Sequence, residues 1–174
     1  MRLRKLAALA ATAAVAVTGV STATASAWSG SIDTGTQYRI ETFGSLALDV
    51  QGGAQYDGAP VIQWPYNGGA NQKWRYLPTA TPLQYKIQNV NSGKCLTSLG
   101  GRYGLVQFAC SLKTVNQEWV PVFGRYPDPT QVRFHTANGT GSLDVPGGTG
   151  SWGAQLLVWP YSGALNQQFH LTPM

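Results

Sequence analysis

Asp49, Trp64 and Asn71 stand 15 and 7 residues apart, and Asp144, Trp159 and Asn166 repeat the same types at the same spacing. The three types make a set. An ionised carboxylate accepts hydrogen bonds from hydroxyls, and such charge-assisted bonds are the stronger kind. An indole offers an electron-rich face to weakly polarised C–H groups. A carboxamide donates and accepts at once, as a hydroxyl does. Together they suit a neutral, polyhydroxylated ring: C–H groups on its face, hydroxyls around its rim. Taken singly, each has a blander use. Asp49 can cap a turn, Trp64 can be a half-buried strand residue, and Asn71 can sit in an Asn-rich loop. What favours binding is the return of the whole set in phase.

The elements that must position these residues repeat with them. Leu48-Asp49-Val50-Gln51-Gly52-Gly53 returns as Leu143-Asp144-Val145-Pro146-Gly147-Gly148, 95 residues on, and Trp64-Pro65-Tyr66 returns as Trp159-Pro160-Tyr161 at the same shift. A weaker third copy lies between them, where Asn116-Gln117-Glu118-Trp119 matches Asn71-Gln72-Lys73-Trp74 and Gly93-Lys94-Cys95-Leu96-Thr97 falls on the Leu-Asp-Val segment. Each copy opens on a β-type run: Tyr38-Arg39-Ile40, Tyr85-Lys86-Ile87 and Val132-Arg133-Phe134. The expected units are 36–78, 83–123 and 130–174, joined by Pro-rich stretches at 78–82 and 127–129. Apolar residues alternate over short runs broken by Gly, Asn or Asp, which is strand and turn punctuation. Four strands per unit would give a closed all-β body of twelve with few free edges. In the run ending at Trp64, Val61 and Gln63 share one face while Ile62 and Trp64 share the other.

Catalytic arrangements are not apparent. Glycoside hydrolysis needs two carboxyls roughly 5–10 Å apart, and Asp49 and Asp144 fall at equivalent places in different repeats. Asp33 and Asp128 lie in connecting stretches. No Gly-x-Ser-x-Gly occurs, and neither His135 nor His170 has a nucleophile in triad context. A zinc site would need two ligands besides Cys95 and Cys110, and both histidines are isolated from them in sequence. The expectation is a non-enzyme without metal or cofactor.

Composition bounds the rest. The 174 residues are 43% hydrophobic and only 11% charged, with 21 Gly and 10 Pro, which excludes disorder and argues against long helices. Arg2, Arg4 and Lys5 precede an apolar, alanine-rich stretch, and Ala25-Ser26-Ala27 gives a small-residue cleavage site, so 1–27 is expected to be a secretory signal peptide and 28–174 the exported domain. Beyond that leader no apolar run is long enough to insert in a membrane. Three of the twelve basic residues lie in the leader, so the net charge falls from +5 to +2, which argues against a nucleic-acid partner. In a secreted domain Cys95 and Cys110 are expected to pair. Asn138-Gly139-Thr140 is formally a glycosylation sequon, but an Asn-Gly pair between two β-type runs reads better as a hairpin turn.

Three copies of a roughly 45-residue unit ending in Gln72-Lys73-Trp74, Gln117-Glu118-Trp119 and Gln167-Gln168-Phe169 resemble the ricin B-chain type of β-trefoil lectin, also classed as family 13 carbohydrate-binding modules. The resemblance spans essentially all of 28–174 and implies an all-β, pseudo-threefold trefoil. It implies that Trp74, Trp119 and Phe169 pack a shared core. It also implies that Asp49, Trp64, Asn71 and Gln72, with Asp144, Trp159, Asn166 and Gln167, form two sites for galactose- or xylose-type sugars. Gln72, Gln117 and Gln167 are expected mainly to tie a loop from behind. The middle copy has Thr97 in place of the carboxylate, Phe108 in the aromatic place, Asn116 and one inserted residue, so its site should be weak or silent. Ile62, Val106 and Leu157 stand two before the aromatic, where ricin-like sites often have Gln, which removes one hydroxyl contact. Ala47 with Tyr66, and Ser142 with Tyr161, take the places of the two cysteines, so a ring against a small residue should replace the bridge. The partner implied is a glycan or polysaccharide. The alternative is a secreted protein-interaction trefoil, a protease inhibitor or a toxin delivery subunit, which would need a protein partner.

Overall fold

The alternating sequence folds into twelve short strands, with no α-helix among the described residues. The computed structural model describes residues 31–111, 115–124 and 128–174. The expected leader with its cleavage before Trp28, part of the stretch carrying the extra residue of the middle copy, and Pro127 lie outside them. The strands are β1 (Gln37–Thr42), β2 (Ala47–Val50), β3 (Ala59–Trp64), β4 (Trp74–Pro78), β5 (Tyr85–Asn89) and β6 (Cys95–Thr97). They continue as β7 (Val106–Phe108), β8 (Trp119–Phe123), β9 (Gln131–Thr136), β10 (Ser142–Asp144), β11 (Leu157–Trp159) and β12 (Phe169–Pro173). Along β1 and β9 every second residue is buried, the signature of a strand with one face inward.

Six strands close on themselves. β1 pairs with β4, β4 with β5, β5 with β8, β8 with β9, β9 with β12, and β12 returns to β1, all antiparallel. Closure removes the free edges that would otherwise invite other chains. The other six form three hairpins, β2–β3, β6–β7 and β10–β11. These meet one another through β3–β7 pairing and through bridges from Ile62 to Gln155 and Gly104 to Leu157. This is the pseudo-threefold β-trefoil.

Trp74, Trp119 and Phe169 begin β4, β8 and β12 and are fully buried, as expected of core residues. Burying each such ring stabilises the fold by about 1.5–3 kcal/mol. The two indoles also tie ring to hairpin: Trp74 Nε1 donates to the Leu48 carbonyl at 3.0 Å and Trp119 Nε1 to that of Leu96 at 3.2 Å. Phe169 has no such donor. Tyr76 packs between Tyr38, edge-on at 5.2 Å, and Phe134, stacked at 6.3 Å.

The Cys95–Cys110 disulfide is present, with Cα atoms 5.0 Å apart, and ties β6 to the segment after β7. Closing that loop is worth roughly 3 kcal/mol in the chain-entropy treatment. In the other two copies the rings standing at the second cysteine's place each meet a cation. Tyr66 lies under the guanidinium of Arg39, whose Cζ is 4.5 Å from the ring centroid, and Tyr161 lies under Arg133 and edge-on to His135. His135 in turn meets Ser142, with Nδ1 2.6 Å from Oγ. A long cation on the first strand of the repeat reaches the half-exposed ring, which retains water on one side. Asn138 and Gly139 form the turn between β9 and β10, with Gly139 at a left-handed φ of 73° and its N–H bonded to Thr136.

Candidate functional site

The β2–β3 hairpin and the 3-10 turn Ala70–Gln72 bring the first set together. In the hairpin Asp49 pairs with Ile62 and Ala47 with Trp64, and the Asn71 Nδ2 donates to Asp49 Oδ2 at 3.0 Å and to the Val50 carbonyl at 3.2 Å. The third repeat reproduces this. Asp144 pairs with Leu157 and Ser142 with Trp159, and Asn166 Nδ2 donates to Asp144 Oδ2 at 2.9 Å and to the Val145 carbonyl at 3.1 Å. Each set lines an open hollow, about 470 Å³ around Asp49, Trp64 and Asn71 and about 440 Å³ around Asp144, Trp159 and Asn166. Trp64 and Trp159 are both 39% exposed, so each offers ring surface to the hollow while its strand stays paired. Gly52 and Gly147, at φ 63° and 61°, form the rims in a left-handed conformation that other residues adopt only with strain. Ile62 and Leu157 stand in the walls, so the place where a ricin-like site often has Gln is apolar here.

Gln72 and Gln167 require a correction as ligand-contacting residues. Both are completely buried. Gln72 accepts from Asn67 N–H at 2.8 Å and donates to the Pro65 carbonyl at 2.9 Å, and Gln167 does the same with Ser162 and Pro160. A buried amide must spend its donors and acceptor, and these spend theirs on the loop beneath the aromatic and on the carboxyls of Asp49 and Asp144. Positioning is their role, as their tying function implied.

The middle copy keeps the frame. Gln117 accepts from Ser111 N–H and donates to Ala109, and Asn116 Nδ2 donates to the Ser98 carbonyl at 3.1 Å. Thr97 takes the carboxylate's place, nearly buried, its hydroxyl donating to the Cys95 carbonyl at 2.8 Å and accepting from Gln117. The hollow is smaller, about 310 Å³, with Phe108 at its side.

Burial raises the Asp49 and Asp144 carboxyls above the ordinary aspartate value, while hydrogen bonds from Gln72 and Asn71, and from Gln167 and Asn166, pull them partly back. The two groups therefore take up protons at a higher pH than a solvated aspartate. A protonated carboxyl loses acceptor strength, so ligand binding should fall on acidification by up to about tenfold per pH unit and site below that point. The folded state holds these protons more tightly than the unfolded one, so acidification does not unfold the protein through these two groups. We expect binding to weaken in acid while circular dichroism is unchanged, and Asp49→Asn with Asp144→Asn to flatten the profile. Parallel loss of binding and structure would contradict it.

Sequence reading missed a contact between repeats. The turn before β11 folds over β3: the buried Gln63 Nε2 donates to the carbonyls of Thr149 at 2.8 Å and Ser151 at 2.9 Å, and backbone bonds link Gln63 with Gly153 and Ala154. That turn sets Trp152 beside Trp64, ring centroids 6.0 Å apart. Gln107 clamps the corresponding turn of the first repeat by bonds to Ala54 and Tyr56. Beside the third-repeat hollow the neighbour is Arg102, its guanidinium 5.4 Å from the Trp159 ring. The inward phase of Gln63 was the available signal, but its partners lie 86 and 88 residues away.

A family model for the ricin-type beta-trefoil lectin domain-like proteins matches residues 24–104 and 70–159. The chain belongs to this ricin-type family. The repeated Gln-x-Trp or Gln-x-Phe endings supply the buried glutamine and the core aromatic of each repeat. The chain is 33% identical to nigrin b of Sambucus nigra over 96 residues, which is 53% of this chain and 16% of nigrin b, so it spans a small part of that relative. Among solved structures it is similar to the designed threefold-symmetric protein ThreeFoil, with TM-score 0.72 and 31% identity over 79% of this chain and 99% of ThreeFoil. It is also similar to 1,3Gal43A, an exo-beta-1,3-galactanase from Clostridium thermocellum, with TM-score 0.73 and 25% identity, covering 83% of this chain and 31% of that one. No helix among the described residues is long and apolar enough to cross a membrane.

Proposed function

We propose that this ricin-type trefoil is a secreted, non-catalytic protein that binds galactose- or xylose-type units of glycans or polysaccharides through two sites, in the first and third repeats. The observation that carries the reading is the duplicated hollow: carboxylate, half-exposed indole and carboxamide, with the Asn-to-Asp bond at 3.0 and 2.9 Å in the two copies. In each, the ring would take the C–H face of a sugar and the carboxylate its hydroxyls, the carboxamide fixing the carboxylate's orientation. Likeness over part of 1,3Gal43A, a galactan-cleaving enzyme, supports the galactose class.

Open hollows with one stacking ring should hold a monosaccharide weakly, because lost freedom and desolvation offset most of the gain. Two such hollows on one rigid body act together on a polymer spanning both, with a gain of about 10²–10⁴. We therefore expect millimolar-range affinity, an order-of-magnitude figure, for free galactose or xylose and much tighter retention on galactan or xylan. Asp49→Ala or Asp144→Ala should each remove most of the excess, and Thr97→Ala little. Affinity electrophoresis in the polymer, set beside calorimetry with the monosaccharide, measures both. Full retention by both Asp variants, or damage only from Thr97→Ala, would contradict the reading.

A further inference from the structure

The three hollows differ most in what the neighbouring repeat adds to them. Beside the middle hollow the turn of the first repeat brings Asp57, already held by Lys94 Nζ at 2.7 Å and by Ala109 N–H at 2.9 Å. Beside the third-repeat hollow stands the cation of Arg102. Beside the first stands Trp152, a large apolar ring 67% exposed, tilted 61° from Trp64 at 6.0 Å between centroids.

Little in the fold accounts for Trp152 being tryptophan. Two thirds of it faces water, so it contributes little core burial, and an exposed indole beside a binding hollow is a ready stacking surface. Its backbone is fixed twice over, by the amide of Gln63 on Thr149 and Ser151 and by the Ile62–Gln155 bridge. Gly153 closes the turn at a left-handed φ of 79°, where a side chain would have to start 3.6 Å from the Trp64 ring. With the backbone held this firmly, only the indole's own rotamers remain to be fixed on binding, and so more of its contact energy appears as affinity.

We infer that Trp152 is a second stacking platform of the first-repeat site, so that this site takes two successive units of a neutral oligosaccharide, one ring on Trp64 and the next on Trp152. Adjacent pyranoses in a chain are turned relative to one another, and two rings inclined to each other match that better than one flat surface. The two sites are then unequal: the first is an extended site for chain interiors or chain ends of two or more units, while the third has a single indole shared with a guanidinium. This rests on the sugar-binding reading of the Asp49 hollow.

The test is calorimetry in an Asp144→Ala background, which leaves the first site to be read alone, with galactose, xylose and their linear tetrasaccharides as probes. We expect the preferred tetrasaccharide to bind about five- to tenfold more tightly than its monosaccharide. Trp152→Ala should abolish that advantage and leave monosaccharide affinity unchanged, while Tyr56→Ala, a comparably exposed ring on the corresponding turn of the first repeat, should change neither. If the tetrasaccharide keeps its advantage in Trp152→Ala, or both probes weaken together, Trp152 is no platform although the hollow still binds. If Trp64→Ala retains both affinities, or neither sugar series binds, the reading of the hollow itself fails and the platform with it.

Discussion

Trp64→Ala combined with Trp159→Ala should reduce retention on galactan or xylan to background while leaving the trefoil folded. Each ring is half-exposed at the end of a hairpin strand whose backbone pairing, Ala47 with Trp64 and Ser142 with Trp159, does not depend on the side chain. Removing both should cost stability only about 1 kcal/mol, as surface changes away from the core usually do. Binding should suffer far more. Each hollow loses its only indole of the repeated set, and carboxylate and carboxamide alone exchange water for hydroxyls with little net gain. Because polymer retention multiplies two weak contacts, losing both removes the chelate gain as well. Urea unfolding that is still cooperative and weakened by only about 1 kcal/mol, with absent retention, is the expected pair of results. Full retention in a folded double variant would overturn the placing of both sites.

The opposite outcome is expected from Trp74→Ala, a tryptophan of the same repeat. Its indole is fully buried, and its Nε1 is bonded to the Leu48 carbonyl. Truncation leaves a cavity and an unpartnered buried carbonyl, together about 3–5 kcal/mol, a large share of the roughly 5–15 kcal/mol that holds a domain. Trp74→Phe should cost less, about 1–2 kcal/mol, because a ring still fills the space and only the hydrogen bond and some volume are lost. The third repeat already lives with this arrangement at Phe169. Denaturant unfolding checks both; a Trp74→Ala loss below about 1 kcal/mol would contradict the role given to the ring-closing strands.

What was legible in the sequence was what lies within one repeat. Asp49, Trp64 and Asn71 sit on a hairpin and the turn that follows, so local spacing was enough to group them, and the 95-residue shift identified the second set. The alternation set Val61 and Gln63 on one face and Ile62 and Trp64 on the other. Val61 and Gln63 are fully buried and Trp64 is half-exposed, while Ile62 is buried as well, in the wall of the hollow. The burial of Trp74, Trp119 and Phe169 was implied by the resemblance that their Gln-x-aromatic endings carry. What was not legible arises chiefly between repeats, and within a repeat from the reach and facing of long side chains. Trp152 reaches Trp64 only because threefold closure lays the third repeat's turn on β3 of the first, and no spacing within a chain states that. The Arg39–Tyr66 and Arg133–Tyr161 stacks depend on how far a long side chain leans across a strand, which residue type alone does not fix. Gln72 and Gln167 show the limit from the other side: their place in the repeat was plain, but only the bonds to Pro65 and Pro160 show that they face inward.

Two live hollows and one silent one is the central claim, and the tryptophan indoles allow it to be read directly. The ¹⁵N-labelled protein titrated with galactose or xylose should show the indole N–H signals of Trp64 and Trp159 moving with saturable, independent curves. The backbone around Phe108 and Thr97 and the buried indoles of Trp74 and Trp119 should stay in place. Asp49→Ala should silence the Trp64 curve alone, and Asp144→Ala the Trp159 curve alone. Movement centred on Phe108, or no movement at Trp64 and Trp159 at sugar concentrations that saturate retention on the polymer, would contradict the account.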